Sequence, residues 1–489
     1  MIKNSYRPCV AAAAAVILSF LLASCGGGGG GGGGKAVSTN VSASVSAVHV
    51  GESFFISWSS ANADSCQASG AAGWESTVAV SGTQWFSPTE PANLNFTLTC
   101  TGKAGSASSS AAVTVNPASA VATGSNVAQI VVDSGPSGNE INMPYVSVTI
   151  CRPGTDICQT IDHILVDTGS YGLRIIAPGV ISSSLALPSV NAASGNALGE
   201  CAQFASGFTW GSVNSADVKI SGETALSVPI EVIGNTATAF SQIPDDCSST
   251  GSNMGTVATM GAKGILGVGL FKEDCGSVCA SRIIPGTYYE CDGTACTGTT
   301  APLSKQVANP VAFFPLNNNG VMLELPSVST GGASALSGKL TFGIGTQENN
   351  QLAGTTIYRA DSRGNFKTIY KGKTYNSSFL DSGSNGLFFP DSTIRGCTLS
   401  TDFYCPSSPL ALSAVNAAYD SSSSGTVNFT IESVDKLNSA SVAASIGGNT
   451  GSFGFSGFDW GFPFFFGRKV FVTLEAANTP GGTGPFWAY

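Results

Sequence analysis

Two short stretches place a single aspartate in nearly the same surroundings. They read "ILVDTGSYGLRII" at residues 164–176 and "SFLDSGSNGLFFP" at residues 378–390. Two carboxylates held a few ångströms apart cannot both ionise, so they share one proton and titrate as a unit. One member can then deprotonate a water while the other protonates a carbonyl oxygen. Asp167 and Asp381 are therefore the candidate catalytic pair, and this chemistry needs no covalent intermediate and no cofactor.

Each aspartate is followed by three residues of matching kind. The first can reach across to the opposite turn. The glycine allows a tight turn without a Cβ clash. The backbone N–H groups and the serine hydroxyl can hold the carboxylate. In chain order these supporting residues are Thr168, Gly169, Ser170, Ser382, Gly383 and Ser384.

The elements that must position these turns are strands. Low charge (10%), 61 glycines and alternating apolar runs broken by Gly, Asn and Asp predict an all-β chain. The region from residue 127 onward is larger than one barrel or sandwich usually needs. An internal duplication, with one aspartate in each copy, explains this size.

The two motifs and their context resemble the pepsin-type aspartic peptidases. Four segments carry the resemblance in the right order, at residues 145–170 ("YVSVTICRPGTDICQTIDHILVDTGS"), 263–271 ("KGILGVGLF"), 337–345 ("SGKLTFGIG") and 458–475 ("FDWGFPFFFGRKVFVTLE"). The resemblance implies a bilobal pair of double-ψ β-barrels, with an N-terminal lobe at 127–340 and a C-terminal lobe at 341–489. It also implies hydrolysis of a peptide or protein substrate bound in a cleft. More narrowly, the chain is similar to a group of bacterial lipoproteins known as a domain of unknown function.

The segment at the place of the family's flap departs from the pattern. Pepsin-like flaps usually carry a tyrosine that orients the catalytic water, but residues 203–220 ("QFASGFTWGSVNSADVKI") contain none. Phe204 stands where that tyrosine aligns, and Trp210 is the nearest residue with a donor, so both are flap candidates. Arg174 also replaces a common tryptophan. The alternative function is therefore a catalytically inactive pepsin-fold lipoprotein that acts as a binding or structural module.

The N-terminus has the pattern of an export signal. Two basic residues precede a 13-residue apolar run at 10–22, too short to span a bilayer as a helix. "LASC" at 22–25 resembles a lipoprotein lipobox, which implies cleavage after residue 24 and lipid on Cys25. An ordinary cleaved signal peptide is the alternative. Because Gly and not Asp follows Cys25, the sorting rule of these lipoproteins implies the outer membrane in a cell that has two membranes. Residues 26–36 then form a glycine-rich tether.

Residues 37–116 alternate in the manner of short strands. Trp58, Cys66 and Cys100 fit a sandwich with one disulfide, and the segment resembles the small bacterial Ig-like domains. We expect a spacer between the lipid anchor and the larger domain, followed by a linker at 117–126.

The cysteine count also indicates export. Of 14 cysteines, Cys9 lies in the signal and Cys25 is the lipidation candidate, which leaves an even twelve. Cys151–Cys158 and Cys397–Cys405 are the simplest local pairings. For Cys275, Cys279, Cys291 and Cys296 the pairing stays open, and a metal site is the weaker alternative. The disulfide candidates are Cys66, Cys100, Cys151, Cys158, Cys201, Cys247, Cys397 and Cys405.

Several other chemistries are disfavoured. The net charge of −9 gives no footprint for nucleic acid. The chain has two histidines, His49 and His163, too few for the usual zinc sites, and neither belongs to a recognisable serine-hydrolase motif. We interpret His163 as a packing or strand-edge residue. No phosphate-binding loop follows the glycine run. We expect a monomer whose partners are a substrate and a membrane.

Overall fold

The structure is a computed structural model. It describes residues 35–43, 46–49, 54–86, 88, 90–116, 126–235, 237–398, 400–450 and 455–489. The predicted signal segment with Cys25, most of the tether and linker residues 117–125 lie outside these ranges. None of the described helices is both long and apolar enough to cross a membrane. The chain divides into two compact units, one containing the described residues 35–116 and the other residues 126–489.

The smaller unit consists of eight strands in two sheets. The strands are β1 (Ser38–Ala43), β2 (Ala47–His49), β3 (Phe54–Ala61), β4 (Ser65–Ser69), β5 (Thr77–Val78), β6 (Ser81–Phe86), β7 (Ala92–Gly102) and β8 (Gly105–Asn116). One sheet has the order β1-β3-β6 and the other β2-β8-β7-β4-β5. Alternate residues of both sheets enter one core, in which Trp58 packs edge-on against Trp74. The Cys66–Cys100 disulfide joins β4 to β7 inside that core.

The larger unit is built mainly from strands. They are β9 (Val127–Val132), β10 (Pro144–Cys151), β11 (Cys158–Asp167), β12 (Tyr171–Ile176), β13 (Ala197–Phe204), β14 (Gly207–Ile220), β15 (Glu223–Ile233), β16 (Gly264–Val268), β17 (Tyr288–Cys291), β18 (Cys296–Gly298), β19 (Gly320–Glu324), β20 (Leu336–Phe342), β21 (Ile357–Arg359), β22 (Phe366–Tyr370), β23 (Lys373–Asp381), β24 (Leu387–Phe388), β25 (Leu410–Ala417), β26 (Ser424–Ile431), β27 (Gly447–Gly448), β28 (Asp459–Gly461), β29 (Lys469–Thr473), β30 (Asn478–Thr479), β31 (Gly482–Thr483) and β32 (Phe486–Ala488). The predicted all-β class is confirmed at this level.

The described helices of this unit are short connectors. The α-helices are α1 (Asp245–Ser248), α2 (Val257–Met260) and α3 (Ser277–Ser281). Single 3-10 turns occur at Ser183–Leu185, Thr238–Phe240, Leu303–Lys305, Pro310–Phe313, Glu348–Asn350, Val434–Lys436 and Phe462–Phe465.

Six strands close into a ring, which we call the first barrel. Their order is β10-β11-β16-β12-β15-β14, and β14 pairs back onto β10. The last four residues of β11, 164–167, are buried on both faces. At this end β11 lies between β10 and β16 and runs parallel to β16, and parallel strands are usually covered on both faces. This explains why Asp167 ends a continuous apolar run.

A seven-stranded sheet, which we call the second sheet, repeats the central part of that arrangement. Its order is β26-β25-β22-β23-β28-β24-β27. A parallel bridge between Glu432, just after β26, and Ile446, just before β27, links its two ends. A further layer, β9-β20-β19-β29-β32-β21, continues the sheet that contains the first barrel.

Two predicted boundaries need correction. Asn126 was expected in the linker, but it is fully buried and its side chain donates to the backbone oxygen of Phe342. The expected lobe boundary at 340/341 falls inside β20, which pairs with β9. Both boundaries depend on contacts between segments that are far apart in the sequence. Such contacts leave no local signal, so composition alone places the start of the larger domain and the boundary between its lobes wrongly.

Six disulfides involve all twelve cysteines of the described residues. The two local pairs expected from spacing are present, and the four cysteines with open pairing form two further short loops. The bonds are Cys66–Cys100, Cys151–Cys158, Cys201–Cys247, Cys275–Cys279, Cys291–Cys296 and Cys397–Cys405.

Candidate active site

Asp167 and Asp381 end equivalent strands. Asp167 closes β11 opposite Gly267 of β16, and Asp381 closes β23 opposite Gly461 of β28, both in parallel register. The strand that follows each aspartate, β12 or β24, then pairs antiparallel with the same glycine-containing strand. It also pairs in parallel on its other side, with β15 or β27. The described residues therefore contain two copies of one strand arrangement.

The two turns approach each other closely. We call residues 167–170 the Asp167 loop and residues 381–384 the Asp381 loop. A Cβ placed on Gly169 lies 2.6 Å from Cγ of Asp381, and one placed on Gly383 lies 2.7 Å from Cγ of Asp167. Real Cβ atoms do not tolerate such distances, so each turn requires glycine to admit the carboxylate from the other copy.

Four buried hydrogen bonds join the loops reciprocally. Thr168 Oγ1 donates to the backbone oxygen of Leu380 (2.9 Å) and accepts from the backbone N–H of Ser382 (2.9 Å). Ser382 Oγ donates to the backbone oxygen of Val166 (2.7 Å) and accepts from the N–H of Thr168 (3.1 Å). These contacts hold the two turns, and hence the two aspartates, in one fixed relation.

Each carboxylate is held by its own turn. The N–H of Gly169 (2.8 Å) and the hydroxyl of Ser170 (2.5 Å) donate to Asp167. The N–H of Gly383 (2.8 Å) and the hydroxyl of Ser384 (2.9 Å) donate to Asp381.

The electrostatics of this pair favour one neutral carboxyl group. Burial, and then the negative charges of Asp167 and Asp459, raise the pKa of Asp381 well above its usual range. A carboxyl group with a raised pKa next to a second carboxylate can hold the shared proton, and the pair can perform general acid and general base chemistry.

A third acid, Asp459, lies behind the Asp381 loop. Ser384 Oγ is 2.7 Å from Asp459 Oδ2 as well as 2.9 Å from Asp381 Oδ2. Sequence reasoning missed this residue. The sequence did contain a signal for it. When β16 and β28 are aligned on Gly267 and Gly461, Asp459 takes the position that the apolar Ile265 has in the first copy.

A hairpin of β13 and β14 occupies the expected flap segment. Its last pair is Phe204 opposite Gly207. The guanidinium carbon of Arg174 lies 5.9 Å from the Phe204 ring centre. A cavity of about 410 Å³ is lined by residues 201–204 of β13 and by the loop residues Gly169 and Ser170. Phe204 therefore reaches the cavity beside the Asp167 loop but brings no hydroxyl.

Trp210 does not fit the role of a free donor. It is buried between Phe240 and Tyr289, and its indole N–H donates to the backbone oxygen of Phe240 at 3.0 Å. On β14 it lies opposite Cys201, three residue pairs before the last pair at the turn. Its N–H is thus committed to structure and is not free to orient a water.

Arg174 is the centre of a buried charge cluster. Its guanidinium contacts Glu200 of β13 (2.5 Å), Glu231 of β15 (3.3 Å) and Asp274 after β16 (3.1 Å). It also donates to the backbone oxygen of Tyr171 at 2.7 Å. One cation faces three carboxyl groups. Burial raises the pKa of Glu231 to about 7 and that of Glu200 well above its usual range. The cluster fastens the flap hairpin to the strand that follows the Asp167 loop.

His163 and the cysteines have structural contacts. The ring nitrogens of His163 lie 3.1 Å from Asp162 and 3.2 Å from Asp133. Cys397, Cys405 and Asp435 lie close enough together to resemble a metal site. The two sulfurs, however, are joined in a disulfide, so this group does not fit a metal ion.

Comparison with known proteins gives a family but no activity. The profile of "Protein of unknown function (DUF3443)" matches residues 122–489. The chain belongs to the DUF3443 family. Among solved structures, this DUF3443 chain is similar to the aspartic proteinase from Irpex lacteus, at 14% identity and a TM-score of 0.41. That similarity covers 74% of this chain and 96% of the proteinase. A search of the curated proteins found no match.

Proposed function

We propose that this DUF3443 chain is a cell-envelope lipoprotein whose larger unit hydrolyses peptide bonds through a water activated by Asp167 and Asp381. The observation that carries the proposal is the reciprocal insertion of each carboxylate against the glycine of the opposite turn. Two acids held this close repel each other and lower the stability of the fold. A protein that only binds its partner does not need such a pair.

The strand arrangement supports a pepsin-like fold. Each copy has a strand ending in Asp, a tight turn, and a glycine-containing strand paired in parallel beneath the aspartate. This pattern, occurring twice, is what two double-ψ barrels provide. The two-sheet unit at 35–116 supports the interpretation of an Ig-like spacer.

In the proposed reaction, the carboxylate of Asp167 takes a proton from a water as the water oxygen bonds to the peptide carbonyl carbon. The proton of Asp381, whose raised pKa suits a neutral acid, passes to the carbonyl oxygen. The resulting tetrahedral gem-diol collapses when its C–N bond breaks. The amine nitrogen takes the proton held by Asp167, and one hydroxyl group gives its proton to Asp381, which restores the starting dyad. The serine hydroxyls and glycine N–H groups keep the carboxyl planes fixed throughout.

The location follows from the sequence signals. A lipid on Cys25 attaches the chain to a membrane, most simply the bacterial outer membrane, and the glycine tether and spacer separate the larger unit from it. The partners are a peptide or protein substrate and the bilayer. A monomer suffices, because one chain supplies both aspartates.

A catalytically inactive binding or structural module is the second candidate. The observation that favours it is the flap, where Phe204 offers no hydroxyl and the N–H of Trp210 is engaged elsewhere.

One experiment separates the two functions. The full chain is incubated with an unfolded protein substrate between pH 3 and pH 8, with and without pepstatin, a transition-state analogue. Asp167→Asn and Asp381→Asn are each expected to lower kcat by about 10²–10⁴-fold, the range associated with loss of general acid or base catalysis. Asp420→Asn, in an exposed loop, is the control. Cleavage that survives both active-site changes rules out the dyad, whereas a folded wild type that cleaves nothing at any pH favours the binding module.

A further inference from the structure

Asp459 sits at the first position of β28, between two apolar neighbours. It lies opposite Phe379 of β23 on one side and Phe388 of β24 on the other. Its Oδ1 is buried and meets no hydrogen-bond donor among the described residues. Its other carboxyl oxygen, Oδ2, lies 2.7 Å from the hydroxyl of Ser384.

The hydroxyl of Ser384 cannot satisfy both of its acidic neighbours. It carries one proton, yet its oxygen lies within hydrogen-bonding distance of Asp381 (2.9 Å) and Asp459 (2.7 Å). One of the two short O···O contacts therefore needs a proton from a carboxyl group. Either Asp459 donates to Ser384, which donates to Asp381, or the chain of donors runs in the opposite direction.

The surroundings decide which acid holds this proton at rest. An ionised carboxylate in an apolar site without a second donor is costly. Burial raises the pKa of Asp459 to about 7, against the favourable hydrogen bond from Ser384. The acids facing it are Asp381, through Ser384, and Asp167, while the paired strands present Phe379 and Phe388. At acidic pH the stable arrangement is thus neutral Asp459 donating to Ser384.

We propose that Asp459 is a positioning residue that stores a proton and delivers it through Ser384 to Asp381, so that the dyad keeps its shared proton at a less acidic pH. This inference rests on the peptidase function proposed above and assigns it a regulatory third acid.

The transfer balances without any other reactant. The O–H bond of Asp459 breaks and its proton bonds to Ser384 Oγ. The original hydroxyl proton of Ser384 bonds to Oδ2 of Asp381. Asp459 becomes a carboxylate that accepts a hydrogen bond from Ser384, and Asp381 becomes neutral. Reversal of the same two steps returns the proton.

The test compares Asp459→Asn with the wild type in the full chain. Asn presents a fixed amide donor to Ser384, which then donates permanently to Asp381 and favours its carboxylate. The alkaline limb of the kcat profile is expected to move about one pH unit toward acid, a tenfold loss of activity at a fixed pH on that limb. Ser384→Ala removes the donor that favours the Asp381 carboxylate, so it is expected not to reproduce this acid shift, and in its background Asp459→Asn is expected to leave the limb in place. Glu432→Gln is the matched control, because Glu432 is another buried acid with a raised pKa in the second half of the chain. It is expected to leave the limb in place.

A second measurement does not depend on catalysis. Infrared difference titration of protein labelled with ¹³C at the aspartate carboxyl groups detects protonated carboxyl groups directly. The wild type is expected to lose two coupled protons above pH 5 and Asp459→Asn only one, while Tm reports that each variant is folded. A uniform fall in kcat with an unmoved limb, or an unchanged titration, overturns the proposal. If even the wild type cleaves nothing, the peptidase function fails and the titration alone decides the proton store.

Discussion

The Asp167 loop and the Asp381 loop have the same geometry but different support. Both turns use the same backbone and hydroxyl donors, and they exchange equivalent hydrogen bonds. Behind the Asp167 loop lies a buried ionic cluster centred on Arg174. In the second copy Phe388 takes the position of Arg174 and packs against Phe403, and the buried Asp459 pairs with it across the strands. The turn itself therefore fixes the carboxylate in both copies. The residues packed behind the turn differ between the copies, and we expect them to set the stability of each copy and the proton affinity of its acids.

The largest effect on stability is expected where the support is charged. Arg174→Met leaves the buried Glu200 and Glu231 and the partly buried Asp274 without their cation, so the free energy of unfolding at neutral pH is expected to fall by about 3–5 kcal/mol. Arg468→Met is the comparison in the second half, because Arg468 donates to backbone oxygens of Phe464 and Asn428. It is expected to cost less. Denaturant unfolding at pH 7 measures both, and equal losses contradict the comparison.

The contacts between the loops should be equivalent. Thr168→Val and Ser382→Ala each remove a buried hydroxyl and leave one carbonyl and one N–H unpaired. Each is expected to lower the free energy of unfolding by about 1–3 kcal/mol. Thr160→Val, which removes an exposed hydroxyl pair with Thr149, is the control and should be nearly neutral. A large loss of unfolding free energy for one variant and none for the other would show that the two hydroxyl groups do not contribute equally to stability.

The pH dependence of stability should trace to the buried acids. The folded-state pKa of Glu231, about 7, lies above its ordinary value of 4.5. Its contribution is therefore fully present below pH 4.5 and is lost as the pH rises toward 7. The Tm of the wild type is expected to fall over this window, and Glu231→Gln should flatten the decline. Asp381→Asn makes the same test in the second copy. The pKa of Asp381 is also raised, so this variant should likewise reduce the fall of Tm with rising pH. Unchanged slopes in both variants would refute this assignment.

The smallest expected effect concerns the flap. Phe204→Tyr adds a hydroxyl at the end of β13, beside the cavity that the Asp167 loop also lines. We expect kcat/KM to rise by less than about tenfold, or about 1.4 kcal/mol in activation free energy. Steady-state cleavage assays measure it, with Phe208→Tyr, on the neighbouring strand, as the control. A fall in activity would mean that the contact of Phe204 with Arg174 matters more than the missing hydroxyl.

Local pattern predicted the strands, the two aspartates and the supporting residues of each turn. The strands are confirmed, and the structure brings the two predicted turns together. This could be predicted because the apolar run, the Asp and the Gly of each motif lie within a dozen residues, whereas the catalytic role of the two aspartates stays a prediction. Local pattern could not predict the cluster around Arg174, because Glu200, Glu231 and Asp274 belong to three separate segments brought together only by strand pairing. Asp459 was missed for a related reason, since its significance depends on the register of β28 against β23. Trp210 was misassigned because sequence shows a donor but not the partner that occupies it.

The disulfide pattern has a consequence for how the chain matures. Among the twelve cysteines from Cys66 to Cys405, every bond joins a cysteine to the next one along the sequence. If the chain meets an oxidant N-terminus first, each native bond can therefore form as soon as its second cysteine becomes accessible. If the chain is exported N-terminus first, as its N-terminal segment predicts, the correct connectivity forms without reshuffling, and a catalyst of thiol oxidation is sufficient without an isomerase.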